Sequence, residues 1–196
     1  IQADLGIPYD EKLVALSAKL SARKGPDVFL RAARKVFVRF PETYFLVVGG
    51  ELEGTHHQRY ANRLHALPRN LSIQDRVLFT GYRSDVPEIM AASDIITHCS
   101  VYPDPFPGVV LEGMVVGKPV VASDIGGPRE QLEDGVSGVL VEPGEPVILA
   151  DALCDLLDDE EKRKRLGRNA RQRVQSEFTV DAFNQRLSQL YQQVLA

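Results

Sequence analysis

The sequence predicts an α/β protein: a Rossmann-like, doubly wound parallel sheet of six strands, with helices on both faces and a helical C-terminus. Three observations point there. Short apolar β-type runs alternate along the chain with amphipathic helical stretches, the pattern of βαβ units. Several of those runs are apolar throughout, as expected when helices cover both faces of a sheet. The composition is 44% hydrophobic but only 7% aromatic, with no Trp, which suits a sheet built from Val, Ile and Leu. A chain of 196 residues buries one sizeable core, and no repeat, low-complexity tract or linker divides it.

In chain order, "KLVALSAKL" (12–20) is strand-like, and a helix follows from about Asp27 with Phe29, Ala32, Ala33, Val36 and Phe40 on one face. "YFLVVGG" is a fully apolar strand ending in glycines. Residues 55–66 read as a helix, "RVLFTG" as a strand, Val86–Ala92 as a short helix and "DIITHCS" as a strand. A helix near Gly108–Val116 ends at Gly117, which is placed to adopt a left-handed cap. "PVVAS" is the next strand, Pro128 starts a short helix, and "SGVLVEP" is the last strand. Helices follow over Pro146–Leu157, about Glu160–Glu177, and Val180–Leu195. The last carries Val180, Phe183, Leu187, Leu190 and Val194 on one face, an apolar strip expected to be exposed here and to pack toward a further domain.

Composition narrows the function. A net charge of −4 gives no broad reason to expect nucleic acid or an anionic membrane as partner. Cys99 and Cys154 lie far apart without metal-type spacing, which predicts a reduced, cytoplasmic protein. No apolar run approaches the ~18 residues of a membrane span, and the start has neither the basic nor the apolar region of a signal peptide. It opens on Ile1, so we expect a piece of a longer protein. The basic segment "EKRKRLGRNARQR" (161–173) reads as the wet face of a helix with Leu166, Ala170 and Val174 inward. His56 and His57 fall in an expected loop and His65 on a helix, with no ligand spacing for zinc. His98, at a strand end, reads as structural or as a substrate contact. No P-loop and no G-x-S-x-G elbow is present.

Doubly wound sheets bind ligands beyond the carboxyl ends of their strands, where strand order reverses. The loops to inspect are therefore 19–25, 49–54, 81–85, 99–108 and 123–128. In "AKLSARKG", Lys19, Arg23 and Lys24 follow the first strand; they are either a solvated loop or a grip for a diphosphate. Gly49 and Gly50 form either a plain turn or a point of close ligand approach. In "SVYPDPFPGVVLEGMVVGKPVVASDIGG" (100–127), a helix starting at Gly108 offers the free N–H groups of Gly108 and Val109 to an anion. Asp104 lies just before that helix and Glu112 one turn inside it. Two carboxylates flanking a phosphate site suit a ligand with polyol ends, such as a nucleotide-sugar. The competing reading makes Glu112 an exposed helix residue and Asp104 a turn former.

Taken together, "LGIPYDEKLVALSAKLSARKG", "YFLVVGG", "DRVLFTGYRSDVPEIMAASDI" and "VLEGMVVGKPVVASDIGGPREQLEDGVSGVLVEPGE" resemble, in order and over nearly the whole chain, the C-terminal donor-binding domain of GT-B fold glycosyltransferases of the retaining family 4 type. The resemblance implies a nucleotide-sugar-binding domain spanning 1–196 that transfers a hexosyl unit with retention, without metal or other cofactor. It places that family's Glu-x7-Glu motif on Asp104 and Glu112, the first at the donor sugar and reacting centre, the second at the ribose. It places the diphosphate clamp on Lys19 and Lys24, with amide contacts from Gly108 and Val109 and base contacts near Tyr82 and Arg83; Gly49 is retained as a further donor contact. The catalytic candidates are thus Asp104, Lys19 and Lys24. An N-terminal acceptor domain, absent from this chain, is the implied partner and could carry peripheral membrane contact; the acceptor, base and sugar are not specified. Asp104 stands where that family has Glu, Lys19 where it has Arg, and Pro107 where it has Gly. Two other functions share the framework: a nucleotide-sugar 2-epimerase of the same fold, and a noncatalytic nucleotide-binding or assembly module.

Overall fold

The first strand, β1 (Leu13–Ser17), is buried over Leu13–Leu16, and alternate residues serve opposite faces. Val14 and Leu16 join one core cluster, whereas Leu13 and Ala15 join the other. A chain that must fill both faces in this way has no polar position to spare, which is why the strand reads as continuously apolar. The computed structural model describes residues 1–50 and 55–195.

The remaining strands are β2 (Tyr44–Val48), β3 (Val77–Gly81), β4 (Ile95–His98), β5 (Val120–Ser123) and β6 (Val139–Val141). All pair in parallel in the order β3-β2-β1-β4-β5-β6. The order reverses between β1 and β4, so their carboxyl ends diverge into a crevice. Eight α-helices connect or follow the strands among the described residues: α1 (Pro26–Arg39), α2 (Thr55–Asn70), α3 (Val86–Ala92), α4 (Gly108–Val115), α5 (Pro128–Gln131), α6 (Pro146–Asp158), α7 (Glu160–Glu177) and α8 (Val180–Leu195).

One core is formed by Phe29, Leu30, Ala33 and Val36 of α1 with Leu149, Leu153 and Leu156 of α6 against Val14, Phe45 and Val121. The other sets Val110 and Met114 of α4, Ile89 and Met90 of α3, and Ala170 and Val174 of α7 against Ala15, Leu46 and Ile96. Gly117 ends α4 at φ 71°, with its N–H on Met114 O and the Lys118 N–H on Gly113 O, a Schellman cap. That end is also where α7 approaches most closely.

Three expectations need correction. Helix α2 runs on to Asn70 through Pro68 rather than stopping near Ala66; a proline in the last turn removes a single bond, and the Leu71 N–H still reaches Leu67 O. The helix expected from residue 55 does begin at Thr55, so the loop expected for His56 and His57 gives way to the start of that helix. Arg163, assigned to the wet face of α7, is buried and donates to Leu156 O and Leu157 O, where it satisfies the carbonyl end of α6. Loop residues 51–54 lie outside the described residues. No helix among the described residues is long and apolar enough to cross a membrane. Helix α8 buries none of its residues and leaves Val180, Phe183, Leu187, Leu190 and Val194 exposed, as the periodicity predicts.

A Cβ at Gly167 of α7 would lie 2.1 Å from Gly117 O. Since the obstacle is backbone, Gly167→Ala must separate α7 from α4 and is expected to cost about 1–3 kcal/mol. Urea denaturation measures it, and an unchanged midpoint contradicts this packing.

Candidate functional site

Three loops meet at the crevice, and close backbone contacts set each one. The segment after β1 stays along β2, with the Ala18 N–H on Val48 O and the Leu20 N–H on Gly50 O. It then crosses the end of β4 at Gly25, where φ is 63° and a Cβ would lie 2.0 Å from Cys99 O. The Val101 N–H completes the junction on Arg23 O. Lys24, one residue before the crossing, is thereby brought beside the loop that carries Asp104.

That second loop rests on Gly126 and Gly127. The Gly127 N–H donates to Asp104 O at 2.7 Å, and a Cβ at Gly127 would lie 2.3 Å from Pro105 O. Pro107 occupies the N-cap of α4, and no side chain caps the helix there. Its carbonyl accepts from Nε2 of Gln131, a fully buried residue, at 3.1 Å. The first N–H groups of α4 have no intrahelical acceptor, and this end of the helix carries the positive pole.

The result is a cavity of about 610 Å³ walled by Ser17, Lys19, Lys24, His98, Ser100, Asp104, Phe106, Gly108, Val109 and Glu112, among others. This is within the range of small-molecule sites. Six of the candidate residues therefore share one wall system: Lys19, Lys24, Asp104, Gly108, Val109 and Glu112. Glu112 is exposed, and its Oε1 lies 3.4 Å from where a Cβ on Gly108 would stand, so its carboxylate sits back over the first turn of α4. The solution to an acid in an apolar helix is thus an opening to the cavity.

Lys24 Nζ forms an ion pair with Asp104 Oδ2, and His98 Nε2 lies 3.4 Å from the same oxygen. Burial pushes the Asp104 carboxyl up, but the Lys24 hydrogen bond and charge, joined by His98, outweigh it and hold the group below the usual carboxylate range. Burial draws His98 below the usual imidazole range more strongly than Asp104 raises it. Burial pushes the neighbouring Cys99 thiol up to about 12, so it stays an unreactive thiol. Lys19 is exposed and forms no ion pair among the described residues. Two cations, a helix N-terminus and two acids placed to either side can receive an anion bearing hydroxyl-rich ends.

Three candidates are not part of these walls. Gly49 has φ 141°, its N–H is on Gly81 O, and a Cβ would lie 1.9 Å from Ala18 O, so strand packing accounts for the glycine. Tyr82 is 84% exposed. Arg83 makes a two-pronged pair with Asp85 at 2.8 and 2.6 Å, and the interaction raises the arginine and lowers the carboxyl. Arg23 turns aside as well: it stacks over Tyr102 at 4.7 Å and lines an adjoining cavity of about 260 Å³ with Lys19, Lys24, Ser100 and Asp104. Sequence reasoning passed over Gly126, Gly127 and Gln131 as structural supports; the Gly-Gly before Pro128 was the available signal. Ser100, buried with a hydroxyl unpartnered among the described residues, had no sequence signal at all. The described residues include no cluster of His, Cys, Asp or Glu placed to hold a metal.

A family model described as Glycosyl transferases group 1 matches residues 1–173. The crystal structure of Anabaena Alr3699/HepE in complex with UDP superposes with a TM-score of 0.90 at 33% identity, covering 98% of this chain and 51% of that one; the same protein is also solved with UDP-glucose. A D-inositol 3-phosphate glycosyltransferase of Corynebacterium diphtheriae is 33% identical over 95% of this chain and 44% of that protein. The solved C-terminal domain of a glycosyl transferase group 1 family protein (LpcC) from Francisella tularensis shares the fold, with a TM-score of 0.81 at 23% identity over 91% of each chain. This chain thus spans about half the length of the full-length relatives it matches. It belongs to the group 1 glycosyl transferases and has the fold of the C-terminal half of a GT-B enzyme.

Proposed function

We propose that this domain binds a nucleotide diphosphate sugar and serves retaining transfer of its hexosyl unit to an acceptor hydroxyl. The observation that carries the reading is the convergence of Lys19, Lys24, the open end of α4, Asp104 and Glu112 on one cavity. The complexes of HepE with UDP and UDP-glucose favour uridine as the base. In this reading the diphosphate lies over Gly108 and Val109 between the lysines. Glu112 accepts from ribose hydroxyls, and Asp104 from hydroxyls of the sugar.

As the bond between the sugar and the diphosphate breaks, negative charge grows on the departing phosphate. Lys19, Lys24 and the N–H groups of α4 are already placed to stabilise it, and preorganised charge of this kind lowers the barrier without a metal ion. The ion pair with Asp104 gives Lys24 a second task. The diphosphate draws Lys24 from Asp104, and the freed carboxylate oxygen turns to the sugar. An N-terminal half supplies the acceptor site, and the two buried free cysteines suit a reducing, cytoplasmic setting.

Calorimetry of this chain with UDP, GDP and ADP is expected to show weak binding, strongest for UDP and unchanged by EDTA. Absence of heat with all three in a folded sample overturns the donor-site reading. Glu112→Gln is expected to lose ~1–3 kcal/mol of nucleotide affinity, which a noncatalytic scaffold does not. The isolated chain is expected to transfer no sugar. Restoring the N-terminal half should give a glycoside from UDP-sugar; formation of the 2-epimer instead assigns an epimerase.

A further inference from the structure

His98 has no task in the reading above. It ends β4, is 3% exposed, and lines the donor cavity with Nε2 lying 3.4 Å from Asp104 Oδ2. Its other ring nitrogen, Nδ1, is buried without a hydrogen-bond partner among the described residues. Asp104 is ionised near neutrality, and an ionised carboxylate only accepts hydrogen bonds. Nε2 must therefore carry the ring hydrogen, and Nδ1 remains a bare lone pair. A buried polar atom left in this state is costly, and an apolar residue at position 98 would avoid the cost. What the ring provides in return is an N–H directed at Asp104.

Asp104 has one other side-chain partner among the described residues, Lys24. Lys24 is also the cation that the donor's diphosphate recruits. We propose that His98 is the positioning residue for Asp104: a neutral imidazole that holds the carboxylate toward the donor sugar after Lys24 has turned to the diphosphate. This inference rests on the donor-site reading.

Two measurements test it on the whole chain. In the ligand-free protein, the nitrogen chemical shifts of His98 are expected to place the hydrogen on Nε2 at pH 7; a hydrogen on Nδ1 overturns the proposal, and this test needs no variant to fold. Calorimetry then compares UDP with UDP-glucose for the wild type, His98→Gln and His98→Leu. Glutamine keeps an N–H donor, whereas leucine keeps only bulk. The leucine variant is expected to weaken UDP-glucose about tenfold more than UDP, the loss of about one hydrogen bond to a charged group, and glutamine to restore most of the difference. Equal weakening of both ligands, or no recovery with glutamine, leaves His98 a purely structural residue and overturns the proposal alone. A folded wild-type chain that binds neither ligand overturns the donor-site reading, and the proposal with it.

Discussion

The site depends on how closely three backbones approach one another at the carboxyl end of the sheet. Gly25 passes Cys99, Gly126 passes Asp104 and Gly127 passes Pro105, each at a distance that leaves no room for a Cβ. Loops from β1, β4 and β5 are joined there by main chain rather than by side chains. Because main-chain contacts tolerate little movement, Lys24 and Asp104 are set by the fold and not by one another. The ion pair between them is a consequence of that placement.

The charges around the cavity balance among themselves. Lys24 is neutralised by Asp104, Glu112 faces the opening, and Lys19 stands exposed. In the proposed reading, a diphosphate takes both lysines and the helix end, and Asp104 is left with His98. A cavity prepared in this way exchanges one set of charge-assisted hydrogen bonds for another, so part of the attraction between phosphate and Lys24 is spent on displacing Asp104. On that reading an isolated domain gains less from a nucleotide than its cation count suggests, and sugar hydroxyls at Asp104 recover part of that loss.

Most of the fold was legible because it follows from periodicity. Phe29, Ala32, Ala33 and Val36 lie at helical spacing and are buried, and the runs around Val14, Val47 and Val121 are apolar on both faces. The site was legible only in part. The helix start at Gly108 and the position of Glu112 follow from local sequence, since a Pro-Gly pair opens the helix and one turn separates Gly108 from Glu112. What local sequence does not contain is pairing between distant residues. Lys24 with Asp104 spans 80 positions and Arg163 with the end of α6 depends on how two helices dock; neither leaves a trace in spacing. The resemblance puts Arg83 near the base, and the structure adds a partner that local reading did not supply: Asp85, two residues on, holds its Nε and Nη2. Gly49 reads either as a plain turn or as a point of ligand approach, and its close contact with Ala18 O accounts for the glycine.

The three residues that differ from the pattern this chain resembles become intelligible in this setting. Pro107 has no N–H to donate, but at the N-cap its φ of −66° suits the turn, and its carbonyl is fixed by Gln131. The N–H groups of Gly108 and Val109 remain, so rigidity is gained and two donors are kept. Lys19 keeps the charge of an arginine but, as a point charge, gives up the fork that could grip two oxygens. Asp104 is the sharpest case, since a side chain one methylene shorter reaches less far into the cavity. Its carboxylate lies where Lys24 and His98 both meet one oxygen, which leaves the other oxygen uncommitted among the described residues. A short acid held at one oxygen confines the other to a narrower arc than a longer side chain, which could sweep past both partners. In the proposed reading reach is exchanged for direction, and a donor sugar must come to the acid.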